Sequence, residues 1–383
     1  MTSIRKAWFS TVANFVLHGM VVATWVSRIP AIQSRTGLNP AQFGVALLGS
    51  ACGSVLAIPC CGWLVTRFGS SRITLATAIG FCATLVPIAG ATGMVSLFLG
   101  LVFLGAMAGM LDVSMNVQAV EVEQALGKPT MSRFHAMWSL GGMAGAALGG
   151  VVAARSVAPV WHFAVAAAVL ATVAVLMAPG MIDTHGGVAQ KGHRLPFREI
   201  PPSLLAICAI AFCLLTSEGA MADWVAIYLR DTLKAGPGMA TSGYTVFSAA
   251  MCTFRLMGDS ITHRLGAVRT VRYASLLAAC GVGLAISAQS VWWALPGFAM
   301  TGAGFSVIVP LAYGAGGRVP GVSAGAGVAT VTGIGYVGFL LGPPLIGFTA
   351  QAVSMRAGLG IVAGFSLVAT VLAGFVEPGQ GDT

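Results

Sequence analysis

Charge is scarce in this sequence. Its 383 residues hold 20 Lys and Arg and 11 Asp and Glu, 8% in all, against about 25% in an ordinary soluble chain. So little charge cannot hydrate the outside of a folded body of this size, and a soluble enzyme is excluded. The net charge of +9 comes from basic residues standing singly. There is no basic run and no reader motif, so a nucleic-acid partner is not expected. The eight cysteines (Cys52, Cys60, Cys61, Cys82, Cys208, Cys213, Cys252 and Cys280) all fall in apolar stretches. None has metal-ligand spacing, and they read as small buried hydrophobes. A Gly-x-x-x-x-Gly-Lys-Ser/Thr loop is missing, so nucleotide hydrolysis is excluded as an energy source. His-Glu-x-x-His and a Gly-x-Ser-Gly nucleophile site are missing too. The chain is therefore not expected to be an enzyme or to hold a metal or cofactor.

What is present is apolar sequence in long runs. Hydrophobic residues make up 57%, and the 51 glycines raise the share to about 70%, where 45–50% is usual. A membrane span needs about 20 such residues. Trp8–Ser27 and Ala41–Thr66 are the first two, and Trp8–Ser27 reads as a span, not a leader, because more membrane follows it. Ile73–Leu111 has no charge over 39 residues and predicts two spans folded at Ala91-Thr92-Gly93. Phe134–Ala154, Ser156–Ile182, Ile200–Tyr228 and Ala240–Thr262 come next. Tyr273–Gly317, charge-free over 45 residues, predicts two more with a turn near Gln289-Ser290. Val322–Ala350 and Ala357–Val376 complete twelve transmembrane helices in an all-α membrane protein.

The sizeable polar connection, Asp183–Glu199, lies between spans six and seven. It predicts an N-terminal bundle over 1–178, a cytoplasmic central loop over 179–203 and a C-terminal bundle over 204–383. With the N-terminus inside, fourteen of the 20 Lys and Arg fall on the cytoplasmic side, so both termini are expected there. The two halves echo each other. Arg67-Phe68-Gly69 follows the second span and Arg264-Leu265-Gly266 the eighth, the sign of a parallel repeat with a substrate site at the midplane.

At these residues the chain resembles the major facilitator superfamily. Gly62…Thr66-Arg67-Phe68-Gly69 is similar to its Gly-x-x-x-Asp-Arg-x-Gly signature, with Thr66 in place of the acid. A narrower resemblance runs through Ser27-Arg28-Ile29-Pro30-Ala31-Ile32, Met131-Ser132-Arg133-Phe134-His135, Glu218-Gly219-Ala220-Met221-Ala222-Asp223-Trp224 and Gly342-Pro343-Pro344. It points to a group of bacterial inner-membrane transporters related to the fucose:proton symporters. The resemblance implies two pseudo-symmetric six-helix bundles, a small-molecule substrate, alternating access and a multi-pass monomer in the cytoplasmic membrane.

Without nucleotide chemistry, energy must come from an ion gradient or from the substrate's own gradient. One proton crossing 100 mV supplies about 2.3 kcal/mol, enough for roughly 50-fold accumulation. Using it needs an acid inside the membrane, and a charge there costs about 2.5–3.5 kcal/mol on insertion scales. Asp112 in span four has Asn116 one turn on, and Gly105 and Gly109 on the same face, which should look into the protein. The fucose symporters are similar in carrying an acid in this helix, which would give Asp112 their proton role. A structural hydrogen bond is the alternative. Glu218 and Asp223 in span seven point about 140° apart on a regular helix and share a site only if Gly219 breaks it. Asp223 could instead pair with Arg28 or Arg230.

His18, one turn from Asn14, is a candidate proton relay or a histidine satisfied by a carbonyl. The coupling candidates are thus Asp112, Glu218 and His18. Asn14, Trp25, Asn116, Trp138, Asp223, Trp224 and Tyr336 are candidates for binding substrate, the aromatics by stacking on a ring or else by packing. Arg67, Arg133, Arg255, Asp259 and Arg264 are candidates for gating, with a salt bridge expected for Arg255 and Asp259 at i, i+4. Glu121 and Glu123 are expected in a cytoplasmic loop, Gly141, Gly142, Gly145 and Gly149 at close helix packing, and Gly335, Gly338, Gly342, Pro343 and Pro344 are expected to let span eleven bend. The expected activity is proton-coupled uptake of a small polar solute such as a sugar. A proton-driven antiporter exporting a drug-like compound is the alternative. The Gly-Pro-x-x-Gly-Gly pattern of such exporters is not matched at Gly141-Gly142-Met143-Ala144-Gly145. A membrane sensor or intramembrane enzyme stands further off.

Overall fold

The computed structural model describes residues 2–128, 130–184 and 199–377. Most of the predicted central loop lies outside the described residues. The described residues form twelve long helices and no strand. These are α1 (Thr2–Thr36), α2 (Pro40–Phe68), α3 (Ser70–Ala89), α4 (Met94–Leu126), α5 (Met131–Ala154) and α6 (Pro159–Met177). After the central segment come α7 (Pro202–Asp231), α8 (Ser242–Leu265), α9 (Ala267–Ser287), α10 (Val291–Gly316), α11 (Ala324–Ala352) and α12 (Met355–Leu372). A single helical turn, Pro237–Ala240, stands between α7 and α8.

Eleven of the twelve are long and apolar enough to cross a membrane. The other is α8, 24 residues long and so about 36 Å. Arg255, Asp259, His263 and Arg264 dilute its hydropathy. Large side chains point outward without polar cover, with Val371 78% and Trp161 68% exposed. That surface suits lipid and not water. Trp161, Trp292 and Trp293 stand in the first turns of α6 and α10, where indole rings anchor at a membrane interface.

Helix ends follow local chemistry. Asn39 caps α2, its side chain accepting from Gln42 N at 2.9 Å while Gln42 reaches back to Asn39 N, a reciprocal capping box. The two repeat-related turns use the same device. Gly69 joins α2 to α3 at φ +89°, and Gly266 joins α8 to α9 at φ +76°, a region costly for any residue with a Cβ. The predicted fold at Ala91-Thr92-Gly93 falls between α3 and α4, and that at Gln289-Ser290 between α9 and α10.

One expectation needs correction. Glu121 and Glu123 are not in a loop, because α4 continues to Leu126. Glu123 Oε2 accepts from Thr130 N (2.5 Å) and Met131 N (2.8 Å), so it caps the start of α5. The stretch expected to let span eleven bend lies within one continuous helix, α11. It runs through Pro343 and Pro344, and Gly335, Gly338 and Gly342 admit α7. A Cβ on Gly335 would stand 2.7 Å from Leu215 Cδ1, and one on Gly338 2.6 Å from the Phe212 carbonyl oxygen.

The chain divides into two compact units. The first comprises Met1–Ala189 with Leu229–Thr245, and the second Gln190–Tyr228 with Val246–Thr383. The first unit is thus discontinuous: it takes in the last residues of α7 and the turn Pro237–Ala240. Within it, glycine permits close approach of α1 to α5 and of α2 to α4. A Cβ on Gly145 would stand 2.8 Å from the Met20 carbonyl oxygen, and Gly53 and Gly105 admit the facing backbone of Val102 and Ser50 more closely still. Gly141 and Gly149 pack in the same way against Val16 and Ser27, whereas a Cβ on Gly142 would meet nothing within 4 Å.

Candidate functional site

In the first unit the polar interior is built where α1, α4 and α5 meet. His18 is buried. Its Nδ1 lies 2.8 Å from Trp138 Nε1 and its Nε2 3.3 Å from the Ala108 carbonyl oxygen. An indole N–H can only donate, so Nδ1 is the acceptor and Nε2 carries the hydrogen facing the carbonyl. One neutral tautomer satisfies both neighbours, and His18 ties α1 and α5 to α4. Asn14, one turn earlier, donates from Nδ2 to the Ser10 carbonyl at 2.8 Å. Its Oδ1 is buried with no hydrogen-bond partner among the described residues.

Asp112 stands one turn beyond Ala108 on α4. Asn116 Nδ2 donates to its Oδ1 at 3.2 Å and to its main-chain carbonyl at 2.8 Å. No cation pairs with Asp112 among the described residues. Gly105 and Gly109 turn the same stripe of α4 onto α2, meeting Ser50, Ser54 and Ile58. Trp25 is buried at 5% exposure, and so belongs to the packed interior of this unit.

In the second unit α7 is one unbroken helix. Gly219 is buried in it and faces α11, where a Cβ would stand 3.0 Å from Phe339 Cδ1. Glu218 and Asp223 therefore stand about 140° apart around the axis and do not share one site. Both are half-buried. Glu218 lies within electrostatic reach of Arg255 of α8. The Asp223 carboxylate makes no hydrogen bond or ion pair among the described residues. Trp224 is fully buried, while Tyr336 is 37% exposed and lies 6.1 Å from Phe339, centroid to centroid.

The gating candidates lie towards the ends of the helices. Arg255 Nε reaches the Ser306 carbonyl oxygen at 3.4 Å and its Nη2 lies 3.4 Å from Met251 Sδ, so the side chain turns to α10. Asp259 and Arg264 are exposed. Arg67 lies over the Trp63 and Phe68 rings at 5.8 and 5.6 Å. Arg133 is exposed and lines a small recess with Trp8, Lys128 and Thr130.

Two features were not legible beforehand. Thr66, in place of the signature acid, lies near the end of α2, and at the start of α3 Asp183 arrives from beyond α6. Ser71 Oγ donates to its Oδ1 at 2.9 Å, and Ser70 N donates to the Thr184 carbonyl at 2.9 Å. Gln118 of α4 fastens the same segment, donating to Ser70 Oγ at 2.7 Å and accepting from Ile182 N at 2.9 Å. The other feature is Arg230, read from sequence as an alternative partner for Asp223. It is taken up by Asp231 (2.5 Å), Ser34 (2.8 Å), Gln33 (2.6 Å) and the Pro30 carbonyl. The Ser27-Arg28-Ile29-Pro30 stretch was the signal that could have pointed there.

The described residues, helical throughout their long elements and apolar on the outside with polar side chains within each unit, have the make-up of a multi-pass membrane protein. The chain belongs to the Major Facilitator Superfamily, whose family model matches residues 8–321. It is 35% identical over 355 residues to an uncharacterised MFS-type transporter of Yersinia pestis, covering 92% of this chain and 91% of that one. It is 33% identical over 376 residues to an uncharacterised transporter of Sinorhizobium fredii, covering 97% and 99%. Among solved structures, the nucleoside transporter NupG shares the fold, with a TM-score of 0.71 at 13% identity over 98% of this chain and 99% of that one.

Proposed function

We propose that this transporter couples the inward movement of protons to uptake of a small polar solute by alternating access, as a monomer in the bacterial cytoplasmic membrane with both termini in the cytoplasm. The observation that carries the reading is Asp112. It is a carboxylate inside a membrane helix, held by Asn116 and paired with no cation among the described residues. A charge left so is expensive in a membrane, and taking up a proton removes it. Glu218 and Asp223 are the corresponding groups of the second unit, with Arg255 the cation that Glu218 meets when it is ionised.

His18 has a supporting place in this reading. Its hydrogen bonds to Trp138 and Ala108 hold the α4 backbone one turn from Asp112, and a proton arriving at Nδ1 must first displace the indole. Asn14, with an unpartnered buried Oδ1, and Asn116 supply amides for solute hydroxyls. Trp138 in the first unit and Tyr336 in the second, neither fully buried, supply ring surface, whereas Trp25 and Trp224 are taken into packing. Arg67, Arg133, Arg255, Asp259 and Arg264 are assigned to the gates. Embedded acids with amides and rings suit a neutral polar solute such as a sugar.

The test is proton movement in proteoliposomes challenged with sugars, amino acids and amphipathic amines. A sugar gradient should alkalinise the outside medium, and Asp112→Asn and Glu218→Gln should each abolish accumulation while leaving solute exchange intact. Acidification outside against an opposing solute gradient would establish antiport instead. If both variants accumulate solute as the parent does, coupling does not run through these acids.

A further inference from the structure

The contact between His18 and Trp138 has two states that exclude each other. A neutral imidazole has one nitrogen lone pair. In His18 that pair lies on Nδ1 and holds the Trp138 indole N–H at 2.8 Å, while the Nε2 hydrogen faces the Ala108 carbonyl oxygen, with 3.3 Å between nitrogen and oxygen. A proton on Nδ1 would set one N–H against another, so the indole bond and a charged His18 cannot coexist. The backbone fixes the pair in register. A Cβ on Gly19, the neighbour of His18, would stand 2.1 Å from the Trp138 carbonyl oxygen, so α1 and α5 make their close approach at these residues. Phe81 of α3 backs the imidazole, its ring centroid 5.0 Å away.

The two partners differ in access. His18 is 8% exposed, whereas Trp138 is half-buried, so the indole is the more open of the two. It offers a ring face and one N–H donor together. A solute oxygen that accepts this N–H leaves Nδ1 with an unmet lone pair in a buried place, which is costly until a proton fills it. The Ala108 carbonyl is also the helix acceptor for the Asp112 N–H, four residues on. A charged His18 therefore stands one turn of α4 from Asp112, which pairs with no cation among the described residues. From α5, His135 lies within electrostatic reach of His18 and opposes a charge there when it is itself charged. Asn14 lies one turn back on α1, and α3 presents the Phe81 ring.

We propose that Trp138 is a solute-operated lock on His18: a ring-bearing polar solute takes the indole N–H, and only then does Nδ1 accept a proton. The inference rests on the coupling reading above and gives it an order, solute before proton. It also narrows the cargo to solutes that join a ring to an oxygen able to accept from indole, as a cyclic sugar does. Trp138 is thus a positioning residue for the proton, acting through His18.

The experiment reads His18 in the full-length protein in lipid nanodiscs, by NMR of isotope-labelled histidine side chains. The His18 signals are assigned by their loss in His18→Asn. In the parent without solute, His18 should keep one neutral tautomer from neutral to mildly acid pH. Trp138→Phe keeps a ring and removes the N–H, and His18 should then take a second proton over the same range. Where Trp138→Phe fails to fold, benzothienylalanine at this position, with sulfur in place of the N–H, serves instead. A cyclic sugar that drives proton movement in proteoliposomes should bring on the second proton in the parent too. Without solute, Trp138→Phe proteoliposomes should leak protons several-fold faster than the parent, and adding His18→Asn should return the leak to the parent's rate. A His18 that stays neutral when the N–H is gone or when such a sugar is bound overturns the proposal, and so does a leak that His18→Asn leaves unchanged. A parent that moves no protons with any solute overturns the coupling reading instead, and the NMR comparison of parent and variant alone then decides the lock.

Discussion

Single side chains show how one residue type takes different work from its surroundings. Glu121 and Glu123 are two residues apart, and only Glu123 reaches the next helix. Its carboxylate meets two main-chain N–H groups at the start of α5, where a helix has unsatisfied donors and a positive end. Glu123→Ala should therefore cost about 1 kcal/mol, while Glu121→Ala should stay within about 0.5 kcal/mol of the parent. Equilibrium unfolding in detergent checks both, and equal effects would remove the capping role. From the sequence, acids after an apolar run looked like a loop. Only the proximity of Thr130 and Met131 gives Glu123 its role. Asp112, Asn116, His18 and Asn14 were legible as polar positions on otherwise apolar helices. That Trp138 and the Ala108 carbonyl fix the tautomer of His18 was not, since those groups come from helices far away in sequence.

At the scale of helices, the length of the apolar runs set where spans lie, because a membrane accepts backbone only when its hydrogen bonds are internal. Both double-length runs fold at the small polar residues that interrupt them. The eighth span was found by its apolar stretch, although its charges leave it the least hydrophobic of the twelve. Packing between helices was harder to read, since glycine spacing alone does not distinguish contact from open space. Gly105 abuts the Ser50 backbone, and Gly283 faces nothing within 4 Å. Gly105→Ala should push α2 from α4 and cost about 1–3 kcal/mol. Gly283→Ala should be neutral or stabilise by up to about 1 kcal/mol. Thermal unfolding of the two variants decides this, and equal behaviour would mean that the α2–α4 approach carries no packing constraint.

For the whole molecule, scarcity of charge and twelve apolar runs were enough to read a multi-pass membrane protein, because those properties belong to the chain's solvent and not to details of contact, while the transporter reading needed the repeat at Arg67 and Arg264 and the resemblance around it. The cargo is a different kind of information, held in a few side chains whose neighbours come from other helices. The discontinuous first unit was equally invisible, since nothing local marks Leu229–Thr245 as belonging with the first six helices. Arg230→Ala removes the pairing with Asp231 and the bonds to Gln33, Ser34 and the Pro30 carbonyl. Limited proteolysis should then cut the 232–241 stretch several-fold faster than in the parent. An unchanged cleavage rate would mean that Arg230 does not hold this segment.

That discontinuity bears on how the protein can be divided. A plasmid encoding only residues 1–189 would make a fragment with all six of its helices but without the partner of Gln33 and Ser34. The other fragment would carry seventeen residues, Leu229–Thr245, that pack with a body it does not contain. Separately made halves should therefore recover activity only when expressed together, since residues 1–189 hold the place for Leu229–Thr245 and the other fragment holds the piece.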